Sequence, residues 1–308
     1  KNAGWLRRFW RPSDAMSVPP APESLAAAYA HCDAAVRADD KDRWLASLFA
    51  PVARRPDLMA LYAFNLEIAS VRERVSEPLP GEVRLQWWRD VLGGEGRGDV
   101  SAHPVAAAVI DVIMRHRLAV DPLLSLIDAR VFDLYDDPMP ALLDLEGYCG
   151  ETSSALMQIA ALILTEGRDP GTADLAGHAG IAYALTGLLR AFVLHANRGQ
   201  VFIPGDILAG QGVSRDDIVS GRNTPELRAA LAALGAVARR HLEMANDLSG
   251  RADPATLAAF APLATVAARL KRLDAAPNPF VPPRDVPQWR LQWAMWRWAR
   301  RFGRLAGG

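Results

Sequence analysis

A single all-α domain, built as one long helical bundle, is the fold class predicted by the 308-residue chain. Three observations carry that prediction. Nearly every periodic segment repeats its apolar residues at the helical spacing, and almost none alternates as a strand does. Proline-rich punctuation falls between those segments, at "EPLPGE", "DDPMP" and "DAAPNPFVPPRDVP", where helices must stop or start. Half of the residues are hydrophobic and the formal net charge is zero, the balance of a globular protein with a sizeable core.

Taken in order, residues 1–22 read as a basic, aromatic leader running into a Pro-rich linker, poorly ordered, with no apolar stretch of a secretory signal. The helical domain is expected over 23–308. Helices are predicted at 23–38 and at 42–50, the latter ended by Pro51. The pair 56–77 and 81–93 is parted by "EPLPGE", and 102–118 is followed by 121–135. A break at Pro138 and Pro140 precedes 140–166, after which come 171–198, 224–250, 255–274 and 285–305. Residues 175–197 are long and apolar enough to raise the question of a membrane span. They are interrupted by His178, Arg190 and His195 and rich in Gly and Ala, which reads as a central buried helix.

Composition also excludes. A neutral chain lacks the basic field of a nucleic-acid binder. Cys32 and Cys149 stand alone without a CxxC partner, so neither a disulfide framework nor a zinc site is expected, and a reducing compartment fits. Asp128, Asp133, Asp136 and Asp137 cluster at the end of a helix. The one-turn spacing of Asp133 and Asp137 suits a hydrated magnesium ion, but acids at a helix terminus read better as structural. His195 has no acid or Cys at helical spacing and His178 has only Asp174, so both read as satisfied core histidines or surface residues. Ser153 and Ser154 lack a strand–turn–helix elbow, and Gly210 with Gly212 lacks a dinucleotide-binding context.

The segment "QWRLQWAMWRWARRFGRL" is more informative. At about 100° per residue, Leu291, Met295, Trp298, Phe302 and Leu305 form one stripe, and Trp289, Trp293 and Trp296 lie opposite. Arg290, Arg297, Arg300, Arg301 and Arg304 fill a flank between them. One stripe can dock on the bundle and leave a Trp–Arg face for an anionic membrane surface or a partner protein.

Four segments carry a family resemblance: "LASLFAPVARRPDLMALYAFNLEIASVRE", "RLQWWRDVL", "LEGYCGETSSALM" and "LTGLLRAFVLHANRGQVFIPGDIL". In order and spacing they resemble the squalene/phytoene synthase family from about residue 25 to 275, which implies the isoprenoid synthase fold. In that family two facing helices present aspartates to magnesium ions that draw a diphosphate off an allylic substrate. Here the first motif falls on Ala69, Ser70 and Glu73, and the Arg before it falls on Leu66. The second falls on Ala191, Leu194 and His195, with Gly187 in place of an Asn, while Tyr62 and Arg190 keep their types.

No Asp or Glu occurs between Leu175 and Gly205, so no shift of register restores the second set. Glu67 and Glu73, six residues apart, point different ways on a helix. Alkyl and imidazole groups do not replace hard oxygen ligands of magnesium. The eroded motifs, with the Asn-x-Glu of "FNLEIA" and the following "RVSE", resemble the mitochondrial respiratory complex I assembly factor 6 group and its bacterial counterparts.

The resemblance therefore implies a protein without catalytic residues, metal or cofactor. It would act with complex I subunits or assembly intermediates at the inner membrane surface, on the cytoplasmic side, or the matrix side in a eukaryote. Tyr62, Leu66, Ala69, Glu73, Gly187, Arg190 and Ala191 would line the old cavity, now more apolar and able to take a lipid or isoprenoid. Trp289, Trp293, Trp296, Arg297, Arg300 and Arg301 would form the membrane or partner surface. The alternative is an active, magnesium-dependent head-to-head prenyl transferase using farnesyl or geranylgeranyl diphosphate.

Overall fold

Proline opens the helices of this molecule more often than any other device. In the computed structural model, which describes residues 22–96 and 98–303, Pro stands in the first turn of six of them, α1 (Pro22–Asp39) and five later ones. Its fixed φ and missing N–H cost nothing there. The later five are α3 (Arg55–Ala69), α4 (Pro78–Gly93), α5 (Pro104–His116), α6 (Asp121–Val131) and the longest helix, α13 (Pro225–Ser249). Between α1 and these lies α2 (Lys41–Ser47); the Asp40 carboxylate caps α2 by accepting from the Arg43 N–H.

Between α6 and α13 run α7 (Leu142–Cys149), a π turn at Gly150–Ser154, and α8 (Ala155–Leu164). There follow α9 (Ala173–Arg190), α10 (Phe192–Asn197), α11 (Gly205–Gly210) and α12 (Arg215–Val219). The chain closes with α14 (Leu257–Phe260), α15 (Val266–Asp274) and α16 (Gln288–Gly303). Among the described residues there is no strand, as the periodicity predicts.

One core runs through the bundle, from Ala28 of α1 to Phe302 of α16, with Tyr62, Phe64, Leu85, Leu126 and Phe260 among its buried side chains. A satellite cluster under α10 to α13 joins Phe192, Val201, Ile203, Ile218 and Leu227. Helix α9 packs along α13 and crosses the π turn. That crossing depends on Gly180: a Cβ there would come within 2.3 Å of the Ser154 Cα. The Ser154 hydroxyl instead donates to the Gly177 carbonyl at 2.9 Å. The segment weighed as a membrane span, 175–197, is divided between α9 and α10 of the bundle, and no described helix is long and apolar enough to cross a membrane.

Several boundaries differ from the periodic reading. The helix expected over 56–77 stops at Ala69, and Arg72–Arg74 form a 3-10 turn. The helix expected over 171–198 starts at Ala173 and breaks at Ala191. The stretch 140–166 is interrupted by the π turn, and 255–274 alternates 3-10 and α geometry. Two short helices, α11 and α12, were not expected. The last helix begins at Gln288, after the prolines at 282, 283 and 287. Residues 1–21, with nearly all of the expected leader, and Arg304 and Leu305 lie outside the described residues.

Candidate functional site

The two helices that would face each other across a synthase cavity are α3 and α9, and both pack on α8. The space between them is spanned by Arg43 of α2. Its guanidinium lies over the Tyr62 ring of α3 at 5.7 Å and the Tyr183 ring of α9 at 5.2 Å, and donates to Asp40 at 2.5 Å. Beside it Asp42 accepts both arms of Arg269, one at 2.9 Å, and the Tyr183 hydroxyl at 3.1 Å.

A second buried set lies on α6, its 3-10 extension and α7. Arg130 donates to Asp133 at 2.9 Å, and the Tyr148 hydroxyl donates to the same carboxylate at 2.7 Å. Burial raises the pKa of Tyr62, Tyr148 and Tyr183, so all three phenols stay neutral. The interior is therefore crossed by arginines already neutralised by aspartates, each pair seated against tyrosine.

The eroded motif positions lie at the ends of α3 and α9. Tyr62 is buried at 2% exposure, beneath the Arg43 guanidinium. Leu66, Ala69 and Ser70 are half-buried, and the Ser70 hydroxyl donates to the Glu67 carbonyl at 3.2 Å. Glu73 is exposed and sits 3.6 Å from Arg198, just beyond α10. Glu67 turns elsewhere, to His103 at 3.5 Å. On the facing side Gly187 is exposed, Ala191 ends α9 and Leu194 is 44% exposed. Arg190 donates to Asp285 at 3.0 Å.

His195 packs its ring 4.6 Å from Phe202, with Nδ1 buried and unpartnered. Burial pushes its pKa down to about 4, so it is neutral at neutral pH. Of the ten positions carried over from the family's motifs, the structure brings Glu73 and the end of α10 together through Arg198, and turns Arg190 away toward Asp285.

This donor set does not fit magnesium. The carboxylate that survives at the first motif faces a guanidinium where the reaction needs a second carboxylate across the gap. Among the described residues no group of three His, Cys, Asp or Glu is placed to hold a metal ion. Of the four acids read from sequence as structural, Asp133 holds Arg130 and Asp128 takes Arg89 at 2.6 Å. His178 is paired with His241 at 2.9 Å, which in turn meets Glu146 at 3.1 Å.

The Arg43–Asp40 and Arg269–Asp42 pairs were not foreseen. Asp40 and Arg43 stand three apart in "DDKDRW", a visible signal, but Asp42 and Arg269 are 227 residues apart. A groove of about 300 Å³ lies outside this interior, lined by Leu189, Phe192, Val193, Leu231, Leu270 and Val281, with Arg190 and Arg228.

A family model described as squalene/phytoene synthase matches residues 36–297. NADH dehydrogenase (ubiquinone) complex I, assembly factor 6 of Rattus norvegicus is 30% identical over 260 residues, covering 84% of this chain and 77% of its own. A 15-cis-phytoene synthase of Synechococcus elongatus is 26% identical over 226 residues, 68% of this chain and 70% of its own. Among solved structures, a dehydrosqualene synthase in complex with a ligand superposes with a TM-score of 0.74 at 17% identity, covering 91% of this chain and 98% of that one. The fold is that of the isoprenoid synthases.

Proposed function

Because this chain belongs to the squalene/phytoene synthase family while its donor set does not fit magnesium, we propose that it keeps the fold without the reaction. It serves as an assembly factor for respiratory complex I, NADH:ubiquinone oxidoreductase, acting peripherally at the inner face of the membrane. The observation that carries this reading is the Arg43 guanidinium lodged between Tyr62 and Tyr183 and bound to Asp40. A diphosphate entering here would meet a cation already neutralised. At the rim, Glu73 is neutralised by Arg198.

The relative named for complex I assembly matches over more of the chain, and at higher identity, than the phytoene synthase. Deleting the gene should lower the amount of assembled complex I and leave carotenoids and hopanoids unchanged. Normal complex I in the deletion strain would refute the assembly role. The prenyl transferase alternative rests on the preserved fold segments together with Tyr62 and Arg190, and these two residues lie under Arg43 and against Asp285.

A second reading, carriage of a lipid or isoprenoid, is favoured by the apolar groove beside Arg190 and Arg228. It shifts the ligand from the old cavity to the outer side of α9, α13 and α15. Native mass spectrometry of the purified protein should then show one bound lipid, released by Leu231→Trp, which fills the groove. A protein that carries none would end this reading.

A further inference from the structure

Helix α16 is amphipathic in an unusual way. Leu291, Met295, Trp298 and Phe302 are buried against the bundle, where the helix packs on the 3-10 turn Ala261–Thr265 and on α14. The opposite face holds Trp289, Trp293 and Trp296, which are 63%, 54% and 40% exposed. Three tryptophans left in water on one helix face are costly unless something covers them. The Trp293 and Trp296 rings stack at 4.8 Å, and Arg300 lies over Trp296 at 4.7 Å. Arg290, Arg297 and Arg301 are exposed along the flank. Among the described residues no carboxylate pairs with these four arginines, and residues 286–303 contain no Asp or Glu.

Charge selects the occupant. A second copy of the chain would set arginine against arginine. Residues 1–21 carry Lys1, Arg7, Arg8 and Arg11 against the single acid Asp14, so that segment is like-charged with α16 and does not neutralise it. What matches is a flat anionic layer with an apolar interior. Indole rings sit at the headgroup level of a bilayer, guanidinium forks take phosphate oxygens bidentately, and a convex helix face fits a compliant surface better than a protein pocket. The chain as a whole is neutral, so attraction is local and orients the molecule with α16 toward the lipid.

We propose that α16 is the membrane-docking element of this protein, and that its ligand is an anionic phospholipid surface met by Trp289, Trp293, Trp296 and the arginine flank. This rests on the peripheral-membrane part of the assembly reading and names the face that carries it. The test uses the full chain with vesicles of phosphatidylcholine alone or mixed with phosphatidylglycerol, read by co-sedimentation and by the blue shift of tryptophan emission.

Binding to the anionic vesicles should be at least about tenfold tighter than to the neutral ones, and should weaken as salt is raised. The combined variant W289A/W293A/W296A, whose positions are exposed, should keep the wild-type far-ultraviolet circular dichroism and lose at least about tenfold in binding. R290Q/R297Q/R301Q should bind both vesicle types alike. Equal wild-type binding to both vesicles, or undiminished binding by the Trp variant, would overturn the proposal. Binding to neither vesicle, with complex I rescued by wild type but not by the Trp variant, would assign the face to a protein partner. That result sinks the lipid proposal and leaves the assembly role standing.

Discussion

Replacing Arg43 by Met should destabilise the protein by about 3 kcal/mol. The Arg43 and Asp40 side chains are each about 10% exposed, and removing one partner of a buried pair costs about 3–5 kcal/mol because the other charge is stranded. Asp40 keeps its capping bond from the Arg43 N–H at 3.2 Å, which places the cost at the low end. Two cation–π contacts, at 5.7 and 5.2 Å, are lost as well, each worth about 0.5–1 kcal/mol; the Met side chain offsets part of this by packing on the same rings.

With an unfolding entropy of about 2.1 cal/mol/K per residue over roughly 280 residues, 3 kcal/mol lowers Tm by about 5 °C. Thermal unfolding followed by circular dichroism reads this, and Asp40→Asn added to Arg43→Met should recover more than half of the loss. A single variant within about 1 °C of wild type, or a double variant less stable than the single, would refute a compensated interior. So would a pyrophosphate-induced rise of several degrees in wild-type Tm, since a neutralised Arg43 gives the anion nothing to bind.

Further outcomes follow from the same geometry. Gly180→Ala drives a Cβ into the Ser154 backbone and should cost about 1–3 kcal/mol, read by urea unfolding; a neutral result would deny the close crossing of α9 and the π turn. Burial holds His195 at about 4 against 6.5, so below pH 6.5 the unfolded chain takes up a proton that the folded one refuses. Its effect is absent above pH 6.5 and grows to about 3 kcal/mol of lost stability as pH falls through 4. His195→Leu should flatten the urea midpoint across that window, and an unchanged pH slope would place the ring in solvent. Glu73→Ala breaks an exposed pair and should change stability by under about 1 kcal/mol and leave complex I assembly intact; loss of assembly would give Glu73 a role beyond its contact with Arg198.

What sequence could reveal here was local. The docked stripe and outward tryptophans of α16 follow from spacing within one helix, and the packing of α9 in the bundle from its Gly and Ala, with His178 and Arg190 arguing against a membrane span. The end of α3 at Ala69 was hidden because apolar residues continue in register through Val71 and Val75, and periodicity does not register a helix tightening into a 3-10 turn. The interior was hidden for a different reason. Asp42 meets Tyr183 and Arg269 across 141 and 227 residues, and only the folded bundle brings them together. The expectation of a more apolar cavity weighed the lost aspartates at Ala69 and Ala191; it could not weigh Arg43, because nothing in the predicted helix 42–50 shows that it meets Tyr62 and Tyr183.

Incubating the purified full chain with farnesyl or geranylgeranyl diphosphate and magnesium, and measuring released pyrophosphate, puts the central claim to its most direct test. No release above a protein-free blank is expected, because the one carboxylate left at the motif ends is held by Arg198. Magnesium-dependent release that survives repurification would show that the bundle grips the metal by some other route, and would contradict the account.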